Sequence, residues 1–102
     1  MYSFSDIKVK ASKSELCAKL DEIVFFIGSE ADASNAIIIA GFISAIGKIK
    51  GYVNGELESK ADVLNDITEI AYYIGAEMRT ETADLVAQSI SALYEVKHCI
   101  NG

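Results

Sequence analysis

The chain offers few residues of the types that carry out catalysis. Its 102 residues include one histidine, His98, which stands near the end of the last predicted helix. A histidine in that position interacts favourably with the helix dipole, and this structural role is favoured over a catalytic one. One histidine cannot supply the paired Glu-x-x-His motifs of di-iron bundles. The sequence also lacks a Gly-rich phosphate-binding loop and a serine with a histidine base nearby.

Carboxylates are the remaining candidates for chemistry. Within "ETAD", residues 81–84, two carboxylates stand three residues apart, as in helical enzymes that cleave nucleotides. A magnesium-dependent helical enzyme with its site near Glu77, Glu81 and Asp84 is therefore an alternative function. Because no second acidic cluster accompanies this group, we predict no catalytic residue, no metal site and no cofactor.

Two other carboxylate pairs are separated by the same distance along the chain. Glu22 and Glu69 lie 47 residues apart, and so do Glu30 and Glu77. Glu22 falls about 120° around its predicted helix from the centre of the apolar stripe, which is the flank of a bundle and not its interior. We therefore predict a structural or solubility role for these carboxylates.

The recurring distance reflects a repeat of the whole chain. "DEIVFFIGSE", residues 21–30, is echoed by "TEIAYYIGAE", residues 68–77. When residues 9–55 are aligned with residues 56–102 without a gap, fifteen of the 47 pairs are identical. Unrelated stretches of average composition would match at roughly three positions. The sequence therefore predicts an internal duplication of a 47-residue unit.

Each unit has the pattern of two helices. Ser12 with Glu15, and Ser59 with Asp62, have the spacing of a capping box at the start of a helix. Apolar residues then recur at helical spacing: Leu16, Leu20, Ile23 and Ile27 in the first unit, and Val63, Ile67, Ile70 and Ile74 in the second.

The second helix of each unit has its own apolar stripe. Gly28 and Gly75 are predicted to end the first helices, and an Asn-Gly pair closes each unit. The stripes predicted for the second helices are Ala36, Ile39, Ala40, Ile43 and Ile46, and Ala83, Val86, Ala87, Ile90 and Leu93.

Two hairpins that each have one apolar side predict an all-α four-helix bundle with approximate two-fold symmetry. A lone hairpin of 47 residues cannot bury its apolar stripe, so the second copy supplies the cover. The whole chain, residues 1–102, is then a single domain made of two tandem hairpins, 9–55 and 56–102. Residues 1–8 stand outside the repeat as an N-terminal arm.

Composition and charge limit the functions that are open to the chain. The formal net charge is −6, which repels phosphate backbones, so we expect no nucleic-acid partner. Two cysteines are too few for a disulfide framework. The longest nearly unbroken apolar run, residues 36–47, is shorter than the roughly 20 residues of a membrane span. With no secretory signal pattern at the amino terminus, we expect a cytoplasmic protein with no membrane partner.

The two units differ most on one helical face. In the last helix this face is polar, with Asp84, Gln88, Ser91 and Glu95 at positions i, i+4, i+7 and i+11. The same frame of the second helix reads Ile37, Gly41, Ser44 and Lys48, so most of it is small and apolar. A helix that is apolar nearly all round is buried on more than one side, so we predict a subunit interface there. Its predicted residues are Ile37, Gly41, Phe42, Ser44 and Ala45. The open alternative is that residues 1–8 cover the patch.

Two aromatic residues extend the predicted interface. Phe25 and Tyr72 occupy equivalent positions of the two units and fall almost opposite the core stripe. They either pack against the neighbouring hairpin or form an aromatic patch that grips another protein.

These observations favour a non-enzymatic protein-binding module that inhibits, chaperones or regulates a partner. Immunity proteins, antitoxins, phage-encoded inhibitors and secretion chaperones share its size and charge, and nothing more. All of the net charge lies in the second unit, which has nine acids and three bases. We therefore expect one of two partners. The first is a second copy of the chain, in a homodimer. The second is another protein, for which a basic surface would suit the acidic surface of Asp84, Gln88 and Glu95. A purely structural homo-oligomer is the third possibility.

Overall fold

The computed structural model describes residues 12–56, 59–78 and 80–101, and most of these residues are helical. A 3-10 turn, Thr80–Thr82, precedes the last helix. The four α-helices are α1 (Lys13–Ser29), α2 (Ala36–Val53), α3 (Lys60–Glu77) and α4 (Ala83–Asn101). The predicted all-α, four-helix composition is confirmed. The predicted N-terminal arm, residues 1–8, lies outside the described residues.

The helices pack side by side in the order in which they occur along the chain. Each helix contacts the next one, and α1 also contacts α4, which closes the ring. The short connections between consecutive helices make neighbouring helices antiparallel. The Cα radius of gyration is 13.7 Å, close to the ~13 Å of a compact domain of this length. The result is a compact arrangement in which α1 and α3, and likewise α2 and α4, are diagonal neighbours.

The first helix of each hairpin begins at a capped serine. Ser12 accepts a hydrogen bond from the Glu15 backbone N–H at 3.1 Å, and its own backbone N–H donates to Glu15 Oε1 at 2.8 Å. Ser59 likewise accepts from the Asp62 backbone N–H at 3.3 Å. These bonds satisfy amides that have no partner within the helix. The bonds from Ser12 also hold the pKa of the Glu15 carboxyl below its usual value.

The core stripes predicted for α1 and α3 are confirmed, because all eight of their residues are buried. The prediction for α2 is wrong in part. Ala36 and Ala40 are exposed, and the buried apolar side chains of α2 that face the core are Ile39, Ile46, Ile49 and Val53. Ala83 and Ala87 of α4 are exposed in the same way. An exposed alanine costs little, so these positions can face outward without a large loss of buried apolar area.

The glycines predicted to end the first helices lie inside them instead. Helix α1 continues through Gly28 to Ser29, and α3 continues through Gly75 to Glu77. A Cβ added at Gly28 would lie 3.9 Å from Ile43 Cδ1, and one at Gly75 would lie 3.4 Å from Ile90 Cδ1. These glycines lie where the partner helix packs closely. The predicted Asn-Gly stop is found at Gly55, which has a φ of 91°.

Candidate interaction surface

Helix α2 turns an uncharged face outward. Ile37 is 90 % exposed, and Gly41 and Ser44, one and two turns further along, are exposed as well. A Cβ added at Gly41 would meet nothing within 4 Å. The sequence from Ala36 to Gly47 contains no charged residue. We call the exposed residues Ile37, Gly41 and Ser44 the α2 face.

Two other residues of the predicted interface lie at the edge of the α2 face. Phe42 is half-buried, and its ring lies 5.1 Å from that of Tyr73 on α3 with an interplanar angle of 54°. Tilted aromatic pairs of this kind stabilise a helix–helix contact. Ala45 is also half-buried and packs against the core. The structure therefore turns Phe42 and Ala45 toward the bundle, and Ile37, Gly41 and Ser44 toward the outside.

Five exposed residues of α2 lie outside the predicted interface: Ala36, Ile38, Ala40, Gly47 and Lys48. Ile38 is 49 % exposed, and Ala40 and Gly47 are exposed on the turns that carry the α2 face. Ala40 had been placed in the core stripe. Its repeat equivalent, Ala87, adjoins the polar Gln88, and that neighbour could have indicated an outward position. A run as uniformly apolar as "AIIIAG" has no polar side from which to fix the rotation of the helix.

The equivalent face of α4 is polar and partly paired. Asp84 and Gln88 are exposed, as predicted for an acidic surface that faces a partner. Glu95 is different, because its Oε1 lies 3.4 Å from the Lys19 Nζ of α1 and the residue is half-buried. Asp84 and Gln88 are therefore the more accessible members of this acidic surface.

A shallow cleft of about 450 Å³ runs between α1 and α4. Ser89, at the position of α4 that Phe42 occupies in α2, lines a smaller neighbouring cleft of about 80 Å³. Ser89 is buried. A hydroxymethyl group fills much less space than the phenyl ring between α2 and α3. The larger cleft is lined by Lys19, Glu22, Ala87, Gln88, Ser91, Ala92 and Glu95.

Phe25 and Tyr72 are both strongly exposed. Phe25 is 79 % exposed and Tyr72 is 77 % exposed. These values exclude the alternative in which the two rings pack against the neighbouring hairpin. The rings belong to α1 and α3, which are diagonal in the bundle, so each ring extends from its own side of the molecule.

The carboxylates of the alternative magnesium site are divided between two clefts. Glu77 lines a cleft of about 480 Å³ together with Glu30 and Asp32, at the end of the bundle where α1 joins α2. Glu81 and Asp84 line a different cleft at the start of α4. Among the residues that the structure describes, no group of three or more His, Cys, Asp or Glu side chains could hold a metal ion.

Among the described residues, one helix is long and apolar enough to cross a membrane, judged by length and composition alone. It is α2, of whose 18 residues 28 % are buried in the bundle. Two of its lysines form ion pairs with neighbouring helices: Lys50 Nζ donates to Asp21 Oδ1, and Lys48 Nζ lies 3.7 Å from Asp66 Oδ2. The absence of a membrane partner stays a prediction.

Comparison with known proteins adds no assignment. No protein family, curated protein or solved structure matches the chain. The functional argument therefore depends on the geometry of this molecule. Its most unusual surface is the α2 face, which is uncharged and exposed in a chain of net charge −6. Such a surface can bind another apolar surface.

Proposed function

We propose that the chain is a non-enzymatic protein-binding module that inhibits, chaperones or regulates a partner protein through the α2 face. The observation that carries this proposal is the 90 % exposure of Ile37 on a face without charge. Covering one exposed isoleucine is worth about 1.5–3 kcal/mol. An exposed apolar face of this kind favours association with a second apolar surface.

The proposal includes the internal duplication, because equivalent residues of the two hairpins make equivalent contacts. Helices α1 and α3 begin 47 residues apart, as do α2 and α4. Lys50 donates to Asp21 in the first hairpin, and Lys97 Nζ donates to Thr68 Oγ1 at 3.0 Å in the second. These two pairs occupy the same positions of the repeat, so they support a common origin of the hairpins.

A third equivalence comes from an ion pair whose charges are exchanged. Lys48 of α2 lies near Asp66 of α3, at 3.7 Å. The repeat equivalents of these two residues are Glu95 and Lys19, which lie 3.4 Å apart between α4 and α1. The same contact is attractive in both places although each charge is reversed. A duplicated ancestor with identical halves, followed by paired substitution, accounts for this arrangement.

The duplication also supports the functional reading of the α2 face. Asp84 and Gln88 occupy the equivalent positions of α4 and are exposed there. This shows that a polar face is compatible with the local packing, so the fold does not require Ile37 and Gly41. A requirement outside the monomer fold, such as binding, then accounts for them.

We also propose that the protein acts in the cytoplasm and that the exposed acidic residues of α4 contribute to partner choice. Asp84 lies on the unit that carries the whole net charge of −6. A field of that sign attracts a basic protein surface and repels a nucleic-acid backbone. We therefore expect association that weakens as salt concentration rises.

Affinity capture with two variants tests the proposed function. The wild-type protein, the double variant Ile37→Asp/Gly41→Gln and the variant Tyr94→Asp serve as bait in an extract of the source cells. Tyr94 is 48 % exposed on α4, so Tyr94→Asp is a matched control that removes an exposed ring elsewhere. We expect the wild type and the control to retain the same proteins, and the double variant to lose them.

The refuting result is equally definite. If all three baits retain the same proteins, the α2 face does not bind them, and if no bait retains any protein and the wild type is also monomeric in analytical ultracentrifugation, the α2 face is not a binding surface. Circular dichroism of each bait establishes first that its helices are intact.

A further inference from the structure

We infer that the occupant of the α2 face is a second copy of this chain, with the two α2 helices crossing about a two-fold axis near Gly41 and Ser44. The inference rests on the proposed function, since it names the partner of the same face. It goes beyond that proposal because it fixes the symmetry of the contact and the residues at its centre. A two-fold contact buries the same patch on both copies.

The distribution of charge favours self-association through this face. Residues 9–55 carry five acids and five bases, whereas residues 56–102 carry the whole net charge of −6. Two copies that met through their second units would bring two strongly negative surfaces together. A contact between the two α2 helices joins the neutral units and leaves both acidic units on the outside. The α2 face is therefore a surface that two copies can share without strong mutual repulsion.

The lysines of α2 lie at the edge of such a contact, and Lys48 is exposed there. Lys50 donates to Asp21 on α1, and Lys48 lies 3.7 Å from Asp66 on α3. Both lysines therefore have an acidic partner within their own chain, and both follow the uncharged stretch. The exposed surface from Ala36 to Gly47 is left with apolar and small residues alone.

The shape of the α2 face permits close approach. Added Cβ atoms at Gly41 and Gly47 would meet nothing within 4 Å, so the backbone is open to the outside at both positions. Ser44, between them, is also exposed. A facing helix can therefore approach near the short end of the usual 8–10 Å distance between helix axes. Ile37 then packs along the side of the partner helix.

The size of the face predicts a reversible dimer. An α-helix of 18 residues is about 27 Å long and about 10 Å wide. One such face is smaller than the ~800 Å² that each partner contributes to a stable complex. We therefore expect a dissociation constant on the order of 10 μM, which is in the range of weak and transient contacts.

Analytical ultracentrifugation tests the inference with the full chain alone. We expect wild-type protein to pass from monomer to dimer between about 1 μM and about 1 mM, as that constant requires. The variant Ile37→Asp/Gly41→Gln should stay mostly monomeric up to about 100 μM, where wild type is mostly dimeric, because the buried unpaired carboxylate weakens association at least about 100-fold. Wild-type protein that remains monomeric at the highest concentration overturns the inference.

Cross-linking then locates the contact. Ser44 and Ser91 are identical, exposed and equivalent in the repeat, so Ser44→Cys and Ser91→Cys form a matched pair. A short bis-maleimide should join two Ser44→Cys chains and leave Ser91→Cys chains at the wild-type background. That background comes from Cys17 and Cys99, both half-buried, and burial raises the pKa of the Cys99 thiol. Equal cross-linking of the two variants overturns the inference.

The outcomes distinguish this inference from the proposed function. Suppose that the wild type is monomeric and yet captures a different protein, which Ile37→Asp/Gly41→Gln does not retain. In that case the second-copy inference fails and the proposed function stands. Flotation with phosphatidylcholine vesicles covers the remaining occupant. If monomeric wild-type protein floats with vesicles and Ile37→Asp/Gly41→Gln does not, α2 binds lipid. That result would overturn both the second-copy inference and the proposed function.

Discussion

The double variant Ile37→Asp/Gly41→Gln should make the isolated bundle more stable, although it removes an apolar residue. Ile37 is 90 % exposed, so its replacement gives up little buried area. The first turn of α2 has no acidic residue, and its N-cap, Asn35, makes no capping hydrogen bond through its side chain. A carboxylate at position 37 therefore interacts with the free amides and the positive end of the helix dipole, which is worth about 0.3–1 kcal/mol.

The second substitution adds to this gain. Gly41 lies in the interior of α2, where glycine costs about 0.5–1 kcal/mol relative to a good helix former. A side chain there enters open space. An Asp and a Gln four residues apart on one helix face stabilise the helix by about 0.2–0.5 kcal/mol. The three contributions predict a gain of about 1–2 kcal/mol in the free energy of unfolding.

Thermal unfolding at low protein concentration measures this gain. A change of 1 kcal/mol moves the melting temperature by about 4–8 °C in a domain of this size. The wild-type melting temperature should rise with protein concentration, because a dimer stabilises the folded state by mass action, and that of the variant should not.

The reciprocal variant Asp84→Ile/Gln88→Gly is the matched control, and it should lose a comparable amount of stability from α4. If Ile37→Asp/Gly41→Gln instead destabilises the monomer by more than about 1 kcal/mol, Ile37 belongs to the folding core and the reasoning on the α2 face is wrong.

Two further predictions concern the cap of α1 and the flanking carboxylates. Ser12→Ala should cost about 1 kcal/mol of stability and should raise the pKa of Glu15, measured by NMR titration. The pKa of the Glu15 carboxyl is lowered in the folded state, so ionised Glu15 stabilises the fold at any pH above its unfolded pKa. This stabilisation is lost as the pH falls through the folded pKa. Ser12→Ala should therefore make the free energy of unfolding depend less steeply on pH in the acid range. The pair Glu22→Gln and Glu69→Gln should change stability by no more than about 0.5 kcal/mol, and magnesium titration calorimetry should give no binding heat with wild type or variant. Tight magnesium binding that the substitutions abolish would show a metal site at Glu22 and Glu69 and would contradict their predicted structural role.

The first helix of each hairpin could be predicted from the sequence nearly completely. Large apolar residues at spacings of three and four, such as Leu16, Leu20, Ile23 and Ile27, leave one face to bury, and all four are buried. The capping spacing of Ser12 and Glu15 is a local signal, and local hydrogen bonds satisfy it. Features that depend on neighbours in the chain were therefore predicted correctly here.

The predictions failed where the local sequence is compatible with more than one rotation of a helix about its axis, or with more than one position for the end of a helix. Helix α2 is apolar on most sides, so its own residues do not fix which side meets the core, and Ala40 was placed inward although it is exposed. Gly28 and Gly75 have a residue type that commonly ends a helix. Their helices nevertheless continue past them, to Ser29 and Glu77.

The sequence by itself determined four helices and the face on which the two units differ, because helix periodicity and polarity are properties of short segments. Only the tertiary structure decided what becomes of the residues on that face. Phe42 turns toward Tyr73 because the contact between α2 and α3 has room for a ring, while Ile37, one turn nearer the start of α2, has no helix beside it. The difference comes from the positions of neighbouring helices, which bury one apolar residue and leave the other available for a partner.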